Sequence, residues 1–318
     1  MHHYRVFGGV FASELAFPEL SEIDAGAPDW SLERRAGSPT PGAPSAGWRR
    51  CGSSPVEDGV DCVLHCNEAG ALRVRYDDTG VFEISPSGGR ITWFAPEGAD
   101  EARARKDVLG RVIALAFQQA GVLTLHGSAV DLGGRAVCFI APKFHGKSTT
   151  AAALVDAGGT LLADDLVVVD DPGGTPRLRP TLDTVHLWPD AARHVGRGAS
   201  PVDDGADQAK VQVAYRGGDA LQGAPLDGIY LLVPTEGPDA AVRRRRLDDT
   251  TGAMVLLGQL KVGDLLGAPA VLDLLPEATG LARRVGVHRL EVPRDLSRLP
   301  ALVDQLGRWH AGPESGRS

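Results

Sequence analysis

Residues 122–170 read VLTLHGSAVDLGGRAVCFIAPKFHGKSTTAAALVDAGGTLLADDLVVVD, and the fold class follows from this stretch. Two β-prone runs, 122–132 and 135–141, are separated only by Gly133-Gly134. A two-residue Gly-Gly link between apolar runs predicts a tight hairpin, because glycine takes the positive φ of the primed turns cheaply. The second run enters the loop Ala141-Pro142-Lys143-Phe144-His145-Gly146-Lys147-Ser148. A helix is expected from about residue 147 to 157, stopped by Gly158-Gly159. Residues 160–169 then read as an apolar strand interrupted by Asp164-Asp165.

The loop nearly fits GxxxxGK[ST]. In that arrangement a strand ends, backbone N–H groups curl inward, and a helix begins with its positive end toward bound phosphate. Gly146 allows close approach, Lys147 can bridge β- and γ-phosphates, and the Ser148 hydroxyl can ligate Mg²⁺. The candidates for contact with a triphosphate such as ATP are Ala141, Lys143, His145, Gly146, Lys147, Ser148 and Thr149. Ala141 replaces the first glycine of the pattern, which is tolerable where φ is negative. Isolated buried carboxylates are costly, so Asp164 and Asp165 make sense beside a metal ion and a lysine. On a strand their side chains point to opposite faces, unless the strand ends there, so by the simplest geometry one can reach the metal while the other faces an acceptor. The hairpin register brings His126 to the loop end of the neighbouring strand. There it can touch phosphate or acceptor; a histidine tied to backbone is an equal alternative.

Outward from this stretch, the chain of 318 residues suits one large domain or two ordinary ones. Hydrophobic residues at 43% and charged residues at 23% exclude wholesale disorder. A net charge of −8 without a basic tail argues against nucleic-acid or anionic-membrane partners. No apolar run approaches the ~20 residues needed to span a bilayer, and MHHYRVFGG does not read as a secretory signal. Four cysteines, Cys51, Cys62, Cys66 and Cys138, are too sparse for a disulfide framework, so a reduced, cytoplasmic protein is expected.

Residues 1–100 read as a β-rich N-terminal domain. Residues 4–11 alternate weakly, 25–47 form a Pro/Ala/Ser/Gly-rich loop, and 60–66, 71–76, 81–85 and 90–94 form an antiparallel meander. Residues 100–120 switch to helical period, with Gly121 as the cap, and the domain boundary is placed near this helix. The second domain, 101–318, mixes strands near 184–188, 211–215, 228–233 and 287–292 with helices near 249–258 and 296–309. The fold class is therefore α/β with a mixed sheet.

Other features read more plainly. Arg243–Arg246 in a strand would face alternate sides, a solvated edge that can also meet an acidic peptide. Lys210 reads as a surface lysine that can contact nucleotide. Cys62 and Cys66 share one strand face with His65 on the other, which favours core cysteines over zinc. Trp188 reads as core, with a stack on a nucleotide base as the lesser alternative.

The stretch 122–170 resembles the catalytic domain of HPr serine kinase/phosphorylase and its fold relative phosphoenolpyruvate carboxykinase: histidine strand, hairpin, loop, helix, Ala-Asp-Asp strand. A wider resemblance, from YRVFGGVFASELAFPEL through HLWPDAARHVG to the last helix, is to HPr kinase-like proteins of bacterial peptide-modification clusters, some of which phosphorylate lasso precursor peptides. The resemblance implies nucleotide and Mg²⁺ at Gly146, Lys147 and Ser148. It implies Asp164 as general base, Asp165 as a second Mg²⁺ ligand and His126 near the transferred phosphate. It also implies a peptide or small-protein acceptor and a homo-oligomer. No segment resembles the one that supports the reverse, phosphorolytic reaction in that family. Three functions are thus expected in order: an ATP- and Mg-dependent serine or threonine kinase of a peptide, a kinase of a small hydroxylated metabolite, and a non-catalytic nucleotide-binding regulator.

Overall fold

The computed structural model describes residues 1–24, 26–37, 47–55, 61–171, 174–181, 184–195, 200–202, 211–214, 223–237 and 240–311. Lys210 lies outside them. The chain forms two compact units, Met1–Thr124 with Leu260–Leu274, and Leu125–Gln259 with Leu275–Ser318.

The first unit is built on an eight-stranded sheet among the described residues. Its order is His2–Val6, Gly9–Ser13, Trp30–Ala36, Arg90–Ala95, Gly80–Ile84, Leu72–Tyr76, Asp61–Asn67 and Trp48–Pro55. The four strands from Asp61 to Ala95 form the expected antiparallel meander. Residues 4–11 are not one strand but the adjoining parts of a hairpin, with Tyr4 opposite Phe11. The expected loop at 25–47 contains a strand, Trp30–Ala36, parallel to both of its neighbours. Trp30 and Leu32 are buried while Ser31 and Glu33 are not, a period of two too short to stand out beside the low-complexity run.

The helical segment divides into Glu101–Asp107, a π-helical stretch Val108–Val112, and Ile113–Gln119, with Gly121 at φ +74° after it. Asp100 caps it by accepting from the N–H groups of Ala102 and Arg103. Phe117 packs edge-on to Phe7 and Trp30 at 5.4 and 5.0 Å between centroids. That packing draws the helix into the first unit, so the units divide after Thr124 rather than at residue 100.

The cysteine reading needs correction. Cys51 and Cys66 form a disulfide between Trp48–Pro55 and Asp61–Asn67. Cys62 and Cys138 are free and buried. Cys62 is therefore a core cysteine as expected, and Cys66 is not.

In the second unit, Gly127–Asp131 and Ala136–Ile140 form the predicted hairpin, with Gly133 at φ +75° and Gly134 at +91°. Thr160–Asp164 lies antiparallel on the outer side of Gly127–Asp131. On the inner side, Ala224–Thr235 runs parallel to Ala136–Ile140, and Val287–Pro293 runs parallel to Ala224–Thr235. Arg243–Arg246 closes this side antiparallel to Val287–Pro293, with all four arginines exposed. Arg177–Arg179 pairs antiparallel with both Ala224–Thr235 and Val167–Asp170, and Thr184–Leu187, Val211–Ala214 and Ser200–Val202 form a separate small sheet. Helices Lys147–Asp156 and Leu299–His310 pack on the main sheet through Val130, Val137, Phe139, Leu154, Tyr230 and Leu306. The fold is thus mixed α and β, as the alternation of patterns predicts.

His310 pins the last helix to the sheet. Its ring bonds Asp227 Oδ2 at 2.6 Å and Tyr230 Oη at 2.7 Å, and Arg244 donates to the same Tyr230 oxygen at 3.2 Å. With the Nδ1 proton given to the Asp227 carboxylate, Nε2 of the neutral ring accepts from the Tyr230 hydroxyl, whose oxygen in turn accepts from Arg244. Among the described residues no helix is long and apolar enough to cross a membrane.

Candidate active site

Ala136–Ile140 is buried at every position and delivers the chain to Ala141, which is also fully buried. Among the described residues the non-glycine ones with positive φ are Phe7, Phe144 and Asp165, so alanine is conformationally suited where the pattern has its first glycine. Phe144 at +68° and Gly146 at +86° then turn the loop into the helix Lys147–Asp156. Gly146 is the N-cap residue in the left-handed region, which a glycine enters without steric cost. The N–H groups of a helix's first turn have no intrahelical partner and are what an anion would meet.

Lys147 is buried at 8% exposure and folds back over the loop. Its Nζ donates to the carbonyls of Ala141 at 2.8 Å and Pro142 at 3.2 Å. His145 Nδ1 lies 2.8 Å from the Lys143 carbonyl oxygen. Thr149 is half-buried in the first helical turn.

The two acids separate because the strand ends at Asp164 and Asp165 enters a turn. Asp164 ends Thr160–Asp164 with its side chain inward. Its Oδ1 accepts from Ser128 Oγ at 2.5 Å and Ser148 Oγ at 2.9 Å, and its Oδ2 accepts from the His186 N–H at 3.2 Å. Burial pushes this carboxyl above its ordinary range, and the nearby Asp165 adds to the rise; the two serine hydroxyls and the His186 amide pull against it. Asp165 sits at φ +70° in a three-residue turn closed by the Leu166 N–H on the Asp164 carbonyl at 2.9 Å. Its side chain is half exposed, with Oδ1 3.1 Å from His126 Nδ1.

His126 is not in a strand. The expected run 122–132 breaks there into Leu123–Leu125 and Gly127–Asp131, and the His126 N–H bonds the Gln259 carbonyl at 2.7 Å. The register still pairs Gly127 with Ile140, which puts His126 beside the start of the loop, as the hairpin argument predicts.

Of the predicted residues, Ser148 and Asp164 meet each other, His126 and Asp165 meet each other, and Lys147 bonds the loop. Arg243–Arg246 forms a separate edge, where Arg244 stacks its guanidinium 4.4 Å from the Trp309 ring centre. Trp188 is not core: it is 36% exposed and stacks on Phe144 with 5.6 Å between centroids. Sequence reasoning missed Ser128 and His186. Ser128 carried one signal, a hydroxyl two residues after His126 inside a buried strand.

Ser148 and Asp164 offer hard oxygen donors to one place, and oxygen ligands from one or two side chains suit Mg²⁺. A buried carboxyl that is costly to ionise alone is what a cation would relieve. The residues present therefore fit Mg²⁺. Among the described residues no group of three or more His, Cys, Asp or Glu gathers as a metal cage.

No family model matches the chain, and no curated protein is similar to it. Among solved structures, the HPr(Ser) kinase/phosphatase from Coxiella burnetii aligns with a TM-score of 0.30 and 12% identity, over 59% of this chain and 95% of that one. At that level the likeness fixes neither fold nor activity.

Proposed function

We propose that the second unit is an ATP- and Mg-dependent kinase that phosphorylates a serine or threonine hydroxyl of a peptide or small protein. The observation that carries this reading is the bond from Ser148, at the helix start, to the buried acid Asp164, with a second acid one residue on facing solvent. A buried group suited to metal and an exposed group suited to a proton are thereby offered next to each other at one strand end.

The bonding pattern favours exchanging the two acid roles expected from the sequence. Asp164 shares its oxygens with Ser148, so Asp164 and Ser148 would hold Mg²⁺. Asp165, reachable from solvent and oriented by His126, would take the acceptor proton. Mg²⁺ would supply charge neutralisation at the β- and γ-phosphates. Lys147 would leave the Ala141 and Pro142 carbonyls to bind phosphate, and the loop amides and helix start would orient the donor for in-line attack. The exposure of the Asp165–His126 pair suits an acceptor carried on a chain rather than one enclosed by the protein.

The test is phosphate transfer from γ-labelled ATP to serine-containing peptides and to free serine. Peptide phosphorylation is expected, with Lys147→Ala slower by about 10²–10³-fold. Asp165→Asn should bind nucleotide and lose about 10²–10⁴-fold in turnover. Transfer at the wild-type rate by Lys147→Ala would overturn the assignment of the loop.

A further inference from the structure

The phosphate loop carries a residue that is unfavourable twice over. Phe144 takes φ +68°, a conformation that bulky L residues rarely adopt, and leaves 67% of its surface exposed. Its ring stacks on Trp188, 5.6 Å between centroids and 29° between planes. Phe144 and Trp188 are also the two aromatic members of the exposed large apolar side chains.

Their positions tie the stacked rings to the site. Phe144 lies three residues before Lys147, in the segment whose amides would cradle phosphate. Trp188 lies two residues after His186, whose N–H holds Asp164 Oδ2 at 3.2 Å. Trp188 is thus tied in sequence to a partner of Asp164 and Phe144 to the phosphate loop, and a ring carried on the loop that would grip the donor's phosphates is placed to meet the donor.

We infer that the Phe144 ring, backed by Trp188, is the platform on which the base of the phosphate donor stacks. The donor is then a nucleoside triphosphate rather than an inorganic polyphosphate. The inference rests on the proposed kinase reading and adds to it the residues that would hold the donor's base. A base has a flat face for the outer side of Phe144, and its own triphosphate reaches the loop that carries the ring. Stacking is tolerant of base identity, because every base offers a π-face.

The test is calorimetric titration of the full chain, with Mg²⁺, by a non-hydrolysable ATP analogue, the matching GTP analogue and inorganic tripolyphosphate. Both nucleotides should bind about 10- to 100-fold tighter than tripolyphosphate, the gain that one base–aromatic stack supplies. Phe144→Ala should bring the nucleotides down to the tripolyphosphate level and leave tripolyphosphate binding unchanged. Phe144→Gly, which also removes the backbone strain, should behave alike, and Trp188→Ala should give a smaller loss of the same kind. Equal affinity for tripolyphosphate and nucleotide in the wild type would overturn the platform and leave the phosphate loop standing. So would variants that raise only the KM for the acceptor, which would move the rings to the acceptor side. Binding of none of the three ligands would remove the phosphate-loop reading itself and the platform with it.

Discussion

Ser148 Oγ donates to Asp164 Oδ1 at 2.9 Å, which joins the first turn of the loop helix to the buried end of the acidic strand. The oxygen that accepts this bond also accepts from Ser128 at 2.5 Å, so the carboxyl is held from two sides. Such a group is positioned for a cation before one arrives.

The cost of that arrangement is measurable without a substrate. Burial raises the Asp164 carboxyl above its ordinary value of 3.8, so the folded chain holds this proton more tightly than the unfolded chain does. Stability from this group is full below the unfolded value and is lost as pH rises through the folded one. Asp164→Asn keeps acceptors for the serine hydroxyls and removes the charge. At about pH 7 without divalent cation it should melt higher than the wild type, by about 3 °C for each kcal/mol relieved. Mg²⁺ should raise the melting temperature of the wild type in the presence of a nucleotide analogue and leave the variant unmoved. A variant that still responds to Mg²⁺ would place the metal elsewhere.

A second acid, half-buried, makes the first unit pH-sensitive. Asp107 stands where the helix passes into its π-helical stretch, and Thr79 Oγ1 donates to it at 2.5 Å. Burial pushes its carboxyl up to about 7, against the lowering effect of Thr79, Arg103 and Arg111. The folded value exceeds the unfolded 3.8, so stability is lost as pH climbs from about 4 to about 7. Asp107→Asn retains an oxygen for Thr79 and carries no charge. Urea unfolding at about pH 4 should show little difference between the two proteins. At about pH 8 the variant should be the more stable. Parallel stability profiles across that range would show that Asp107 does not carry this dependence.

What was legible in the sequence was local. Gly133-Gly134 between apolar runs specifies a turn by backbone sterics, and the turn sets the register that brings His126 beside Ala141. The spacing from Ala141 to Ser148 specifies a strand end, a curl and a helix start through positive φ at Gly146. The two acids part because the strand ends at Asp164 and Asp165 enters a turn at φ +70°, and which of them meets Ser148 is not legible locally. That depends on Ser128 across the sheet and on His186, 22 residues away in sequence, neither of which has a local signature. The helix near residue 110 showed an apolar face without showing what would cover it. Its cover is Phe7 and Trp30, about a hundred residues upstream, and this moved the division of the units to Thr124.

The disulfide was illegible for a related reason, and it yields a decisive count. Cys51 and Cys66 are 15 residues apart on paired strands, and the register shifts between Arg50 and Gly52, where Cys51 sits. A bulge of this kind re-aims a side chain, and spacing alone does not reveal it. Closing a loop of this length removes about 3 kcal/mol of chain entropy from the unfolded state. Reduction should therefore lower the melting temperature of the first unit by several degrees, and Cys51→Ser/Cys66→Ser should match the reduced wild type. Nucleotide binding should survive both treatments, because the loop belongs to the other compact unit. The chain has four cysteines, of which Cys62 and Cys138 are free, so thiol titration of the denatured, unreduced protein should find two reactive groups. Four reactive thiols would mean that the pair is open in solution, and the melting temperature would then be indifferent to reductant.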